Sequence, residues 1–225
     1  MPLDLPRIHA LCFDVDGTLS DTDDLFVKRA ARYFLPVRFL LPQHDAERAA
    51  RRFVMWAEAP GNALIGIPDW LGIDAPLAAL SELVTRRRPL PRKDFMLVPG
   101  VKEMLTRIKG HYPMAVVSAR DERSTLAFLE QFELHPYFDL VVTAVTAPHT
   151  KPYPDPILYA AEKLGVAPQN CLMIGDTPVD IRAGKAAGAQ TLGVLCGFGE
   201  LPELQRLGAD TILETTAEVA DLLLK

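Results

Sequence analysis

Apolar residues are arranged in two ways along this chain, and the change of pattern divides it. Residues Ile8 to Val15 are nearly all apolar and run into Asp14-Val15-Asp16-Gly17-Thr18, as a buried strand closed by a turn would. From about 21 to 94 the apolar positions recur at helical spacing instead: Leu25, Phe26, Ala30, Tyr33 and Phe34, then Ala49, Ala50 and Phe53, then Leu77, Leu80 and Val84. Ser20-Asp21-Thr22-Asp23 supplies N-cap residue types at the start, and Pro36, Pro60-Gly61, Pro89 and Pro91 supply breaks. This stretch predicts helices and no strand. Beyond it, strand and helix patterns alternate. Helices are expected from Val101 to the closing Gly110, over Glu122–Phe132, Pro156–Leu164 and Val179–Ala187. Strands are expected over Met114–Val117, Leu140–Thr143, Cys171–Gly175, Thr191–Leu195 and, weakly, Thr211–Leu213. Such alternation implies a parallel sheet with helices on both faces. The predicted fold class is α/β: a Rossmann-like parallel sheet core, residues 1–20 and 95–225, with a helical cap, residues 21–94, inserted after the first strand.

Composition narrows the functional classes. The chain has 225 residues, of which 49% are apolar and 24% charged, enough for a real core. Its net charge of −5 offers no basic footprint for nucleic acid. No run approaches the roughly 18 apolar residues of a membrane span, and the acidic Asp4 near the start does not suit a signal peptide. Cys12, Cys171 and Cys196 form no C-x-x-C pair and lie in apolar, strand-like runs, which predicts free buried thiols in a reduced protein. A cytoplasmic home, no nucleic acid or membrane partner, and a monomer or homodimer are expected.

Four predicted strand ends carry polar groups: Asp14 with Asp16, Ser118, the loop with Lys151, and Asp176 with Asp180. Parallel strands bring all their C-terminal ends to one edge, where ligands of open α/β sheets bind. Two carboxylates as close as Asp14 and Asp16 repel each other unless a cation or a shared proton relieves them. Hard oxygen donors suit Mg²⁺, which binds phosphates and keeps several waters. Carboxylates, hydroxyl and lysine together make a phosphoryl-transfer set. One Asp can attack phosphorus, a second acid can protonate the leaving oxygen, and metal and lysine can neutralise charge.

These stretches resemble the haloacid dehalogenase-like (HAD) hydrolase superfamily, in its capped phosphatase branch, most similar to phosphoglycolate phosphatases and related phosphosugar enzymes. The likeness rests on Asp14-Val15-Asp16-Gly17-Thr18, Val116-Val117-Ser118, Lys151-Pro152 with Asp155-Pro156, and Gly175-Asp176-Thr177-Pro178-Val179-Asp180. The resemblance implies a Mg²⁺-dependent phosphatase acting on a small phosphorylated metabolite through an aspartyl-phosphate. Asp14 would be the nucleophile, and Asp16 the acid and then the base. Ser118 and Lys151 would hold phosphoryl oxygens. Asp14, the Asp16 backbone carbonyl and Asp176 would ligate the metal, with Asp180 a ligand or a holder of a metal-bound water.

A phosphomutase of the same family would need a cap that keeps water out and a second phosphate contact, for which no cap residue speaks. Pyrophosphate is an alternative substrate. A phospho-signalling receiver is disfavoured by length and motif order, and a catalytically idle binding protein by the retention of every acid. Arg120 reads as a surface residue at a helix start, with reach to a substrate anion as the rival, and Thr18 as a brace of the turn. The apolar loop from Gly61 to Trp70 and the basic run Arg86-Arg87-Arg88 are candidates for specificity and steering.

Overall fold

The computed structural model describes residues 3–21 and 95–224. The expected cap helices, the Gly61–Trp70 loop and the Arg86–Arg88 run lie outside the described residues. Among the described residues there are six strands: β1 (Ala10–Phe13), β2 (Met114–Val117), β3 (Leu140–Val142), β4 (Cys171–Gly175), β5 (Gln190–Val194) and β6 (Thr211–Leu213). They form one sheet in the order β3-β2-β1-β4-β5-β6, and every pairing is parallel. The connecting helices are α1 (Val101–Ile108), α2 (Glu122–Gln131), α3 (Asp155–Leu164), α4 (Pro178–Ala186), α5 (Leu201–Arg206) and α6 (Val219–Leu223).

Alternation along the strands explains the two layers. Leu11, Phe13, Met114, Val116, Leu172 and Ile174 face one way and pack with Val101, Leu105 and Ile108 of α1, Phe128 of α2 and Val219 of α6. Ala10, Cys12, Ala115, Val117, Cys171 and Met173 face the other way, against Ile157, Ala160 and Ala161 of α3 and Ala183 of α4. β1, β2, β4 and β5 are buried throughout, as strands covered on both faces must be. The second face carries many small side chains, so its helices come close. At Gly184 of α4 a Cβ would press on Thr191 and stand 3.0 Å from the Met173 Cβ.

Strand order reverses direction between β1 and β4, the place where open parallel sheets form a crevice at their carboxyl ends. The Asp14 amide donates to the Ile174 carbonyl at 2.9 Å, so the ladder between these two strands runs right up to the first acid. The chain then turns sharply. The amides of Thr18, Leu19 and Ser20 all donate to the Val15 carbonyl at 3.3, 2.9 and 2.7 Å. Gly17 sits at φ 73°, a left-handed conformation that a residue without Cβ adopts at no steric cost. The segments on either side of residues 22–94 lie against each other: Asp21 donates its amide to Met96 at 2.8 Å, and Val98 to Leu19 at 3.0 Å.

Most sequence expectations hold within a residue or two. The first strand, Ala10–Phe13, is shorter than Ile8–Val15; at its far end the Val15 carbonyl turns to accept from the following turn. α5 and α6 were not expected. Cys12 and Cys171 are buried free thiols, but Cys196 lies past the end of β5 and is only half-buried.

Candidate active site

Asp14 follows β1 and Asp176 follows β4, on adjacent strands, and Asp180 is in the first turn of α4. One carboxylate oxygen from each lies within 4.8 Å of the others. Among the described residues this is the cluster of groups able to hold a metal ion. Its donors are all hard carboxylate oxygens, with no thiolate or imidazole, the set that suits Mg²⁺ or a similar cation. Two of the three carboxylates share one ammonium, so a divalent cation would cancel the excess negative charge.

That ammonium belongs to Lys151, which is 3% exposed. Its Nζ donates to Asp14 Oδ1 and to Asp180 Oδ1, both at 2.6 Å. Burial pulls the lysine pKa down, but Asp14 and Asp180 outweigh it and hold the group above its ordinary value. Burial pushes the Asp14 carboxyl up to about 7; Lys151 opposes this, while Asp180 and Asp16 add to it. Neighbouring negative charge and lost hydration both disfavour an ionised carboxylate.

Asp180 is held on both oxygens. Oδ1 takes the lysine, and Oδ2 accepts from the Thr177 amide at 3.0 Å and the Thr177 hydroxyl at 2.6 Å. Thr177 is the N-cap of α4 and Asp180 its third residue, so the arrangement that starts the helix also fixes the carboxylate. Asp176 is wholly buried. Its Oδ1 accepts from the Thr18 hydroxyl at 3.2 Å and its Oδ2 from the Phe198 amide at 2.8 Å.

The Asp16 side chain is not in this cluster. It forms an ion pair with Arg120, and a third of it is exposed. The surface reading of Arg120 does not hold: its side chain is 13% exposed, with the guanidinium 5.3 Å from the Phe95 ring centroid and 6.0 Å from that of Phe128. Two rings and a carboxylate fix its direction. Ser118, just past β2, is buried, and its Oγ accepts from the Arg120 amide at 3.1 Å. That bond leaves the hydroxyl proton available to an incoming oxygen.

The structure therefore gathers Asp14, Lys151, Asp176 and Asp180 directly, and ties Asp16 to Ser118 through Arg120. Sequence reasoning missed the loop after β5. Cys196 Sγ lies 3.3 Å from the Gly17 carbonyl oxygen, and the Thr216 hydroxyl donates to the Thr18 carbonyl at 2.6 Å. The available signal was Cys196-Gly197-Phe198-Gly199 directly after an expected strand.

A family model described as haloacid dehalogenase-like hydrolase matches residues 8–188. A phosphoglycolate phosphatase of Nitrosospira multiformis is 30% identical over 97% of this chain and 96% of its own length. Another, of Chromobacterium violaceum, is 30% identical over 98% of this chain and 99% of its own. A solved HAD-superfamily hydrolase of subfamily IA from Geobacter sulfurreducens is similar with TM-score 0.59 and 25% identity, over 96% of this chain and all of that one.

Proposed function

The chain belongs to the haloacid dehalogenase-like hydrolase family and is a phosphoric monoester hydrolase; on that premise we propose that it hydrolyses a small phosphorylated metabolite through an aspartyl-phosphate on Asp14. The observation that carries the reading is the buried cluster of Asp14, Asp176 and Asp180, with Lys151 paired to Asp14 and Asp180, at the carboxyl ends of β1 and β4. The similar phosphoglycolate phosphatases support a short phosphorylated acid as substrate, with a sugar phosphate of comparable size as the alternative.

In this reading an Asp14 oxygen attacks phosphorus, and the bond from phosphorus to the ester oxygen breaks. Asp16, protonated once it leaves its ion pair with Arg120, gives that proton to the departing oxygen. Water then attacks phosphorus, Asp16 takes back a proton from it, and the Asp14 carboxylate leaves, releasing orthophosphate. Lys151 and the Ser118 hydroxyl hold phosphoryl oxygens and spread their charge. Asp14, the Asp16 backbone carbonyl and Asp176 would hold Mg²⁺, which supplies charge neutralisation at the transferring group. Asp180 has its oxygens committed to Lys151 and Thr177, which supports a role in aiming the lysine. Residues 21–94 are proposed as the cap that selects the substrate.

The purified protein screened against phosphorylated metabolites and pyrophosphate, with Mg²⁺ and with EDTA, tests this. Mg²⁺-dependent phosphate release from a small monoester is expected. An isomerised product without phosphate release would replace the reading with a mutase, and activity unchanged in EDTA would remove the metal from it.

A further inference from the structure

We infer that the loop Cys196–Gly199 is a positioning element for Asp176, built around two glycines whose missing side chains make room for it. The inference rests on the proposed role of Asp176 as a metal-holding carboxylate.

Neither glycine is explained by backbone conformation. Positive φ occurs at Gly17, Gly100, Gly110, Gly165, Gly188 and Gly208, but not at Gly197 or Gly199. Space explains them instead. A Cβ on Gly197 would run into the Asp176 carboxylate and come within 2.6 Å of the Gly17 carbonyl oxygen. A Cβ on Gly199 would run into the Asp176 backbone carbonyl. Close approach of one backbone to another group is a reason for glycine distinct from turning.

What the close approach brings is a fixed donor. Between the two glycines, the Phe198 amide donates to Asp176 Oδ2 at 2.8 Å, while Thr18 donates to Oδ1 at 3.2 Å. With a donor on each oxygen, the plane of the carboxylate is set. The Phe198 side chain is itself buried and anchors the loop. At the loop's start, Cys196 Sγ meets the Gly17 carbonyl at 3.3 Å and the Thr216 hydroxyl at 3.5 Å. Thr216 in turn donates to the Thr18 carbonyl at 2.6 Å. One loop thus fixes both halves of the site: the turn after Asp14 and the carboxylate after β4. The loop Cys196–Gly199 and Thr216 lie beyond the stretch, 8–188, that the family model matches.

Metal sites depend on such outer partners, whose loss typically weakens metal binding about 10–100-fold. The test is Mg²⁺ binding to the full chain by titration calorimetry, alongside thermal melts in EDTA. Gly197→Ala and Gly199→Ala are compared with Gly208→Ala, a glycine at φ 79° with nothing within 4 Å of its added Cβ. The first two are expected to lose about tenfold or more in Mg²⁺ affinity. Gly208→Ala should melt lower yet bind within about twofold of wild type, because its strain is remote from the carboxylates. In the wild type, the Phe198 amide should exchange its hydrogen slowly, and more slowly still with Mg²⁺, a readout that needs no variant. A folded Gly197→Ala or Gly199→Ala with wild-type affinity overturns the inference. So does a Gly208→Ala that loses as much affinity as they do, or a Phe198 amide that exchanges quickly in both states. Wild-type protein that takes up no Mg²⁺ removes the premise and the inference together, whereas unchanged variants of a binding wild type remove the inference alone.

Discussion

Lys151 is the side chain on which the electrostatics of the site turn. It is the ammonium set between Asp14 and Asp180, at 2.6 Å from each, and all three are buried. Removing one partner of a buried ionic set leaves charge without compensation, at a cost of about 3–5 kcal/mol. Lys151→Met should therefore lose roughly that much stability in chelator, read from urea melts, and recover part of it in Mg²⁺. Equal loss in both would show that no cation shares the cluster. Asp14→Asn should cut turnover by about 10³-fold or more, as loss of an attacking group does, while far-UV CD stays native. The same variant isolates the pH behaviour of Asp14. Folding raises its pKa from the ordinary 3.8 to about 7, so in chelator the folded state binds this proton more tightly than the unfolded one. The resulting stabilisation is fully present below about pH 4 and is lost as pH rises through about 7. In EDTA, wild-type stability relative to Asp14→Asn should thus fall over that range. Mg²⁺ should stabilise the wild type more as pH rises, because it binds the ionised form. A relative stability that climbs with pH in EDTA would contradict the burial-driven shift.

Among the elements, β1 and β4 do most to place the chemistry, and both were legible before any coordinates. Their runs of apolar residues end on acids, and continuous burial forbids an acid any earlier. The small side chains of the second face, Ala10, Cys12, Ala115 and Cys171, also read as strand, but which helix they admit could not be read from them. Gly184 shows the tightness of that layer. Gly184→Ala should cost about 1–3 kcal/mol by overpacking against Thr191 and Met173, measurable by chemical denaturation, with Mg²⁺ affinity unchanged. What stayed hidden was short or set by tertiary contact. α5 and α6 span six and five residues, too short for periodicity to stand out. Arg120 looked like a solvated helix-start residue because nothing local announces the rings of Phe95 and Phe128 or the carboxylate of Asp16. Nothing local marks the glycines of the β5 loop, since the group that excludes their side chains is some twenty residues away in sequence.

For the molecule as a whole, one topological fact gathers the site. The sheet order places β1 beside β4, so acids 162 positions apart, at 14 and 176, share one crevice. The segments flanking residues 22–94 pair with each other beside that crevice, through Ser20, Asp21 and Met96. An insertion there need not disturb the sheet, which supports the proposal that residues 21–94 select the substrate while the core holds the phosphoryl group. The central claim is that this crevice passes a phosphoryl group to Asp14. Rapid mixing with a turned-over phosphomonoester and Mg²⁺, acid quench and tandem mass spectrometry of the peptides test it most directly. The account predicts a phosphoryl group on Asp14 that is absent from Asp14→Asn; a phosphoryl group on another residue, or none during turnover under conditions that preserve acyl phosphates, would contradict it.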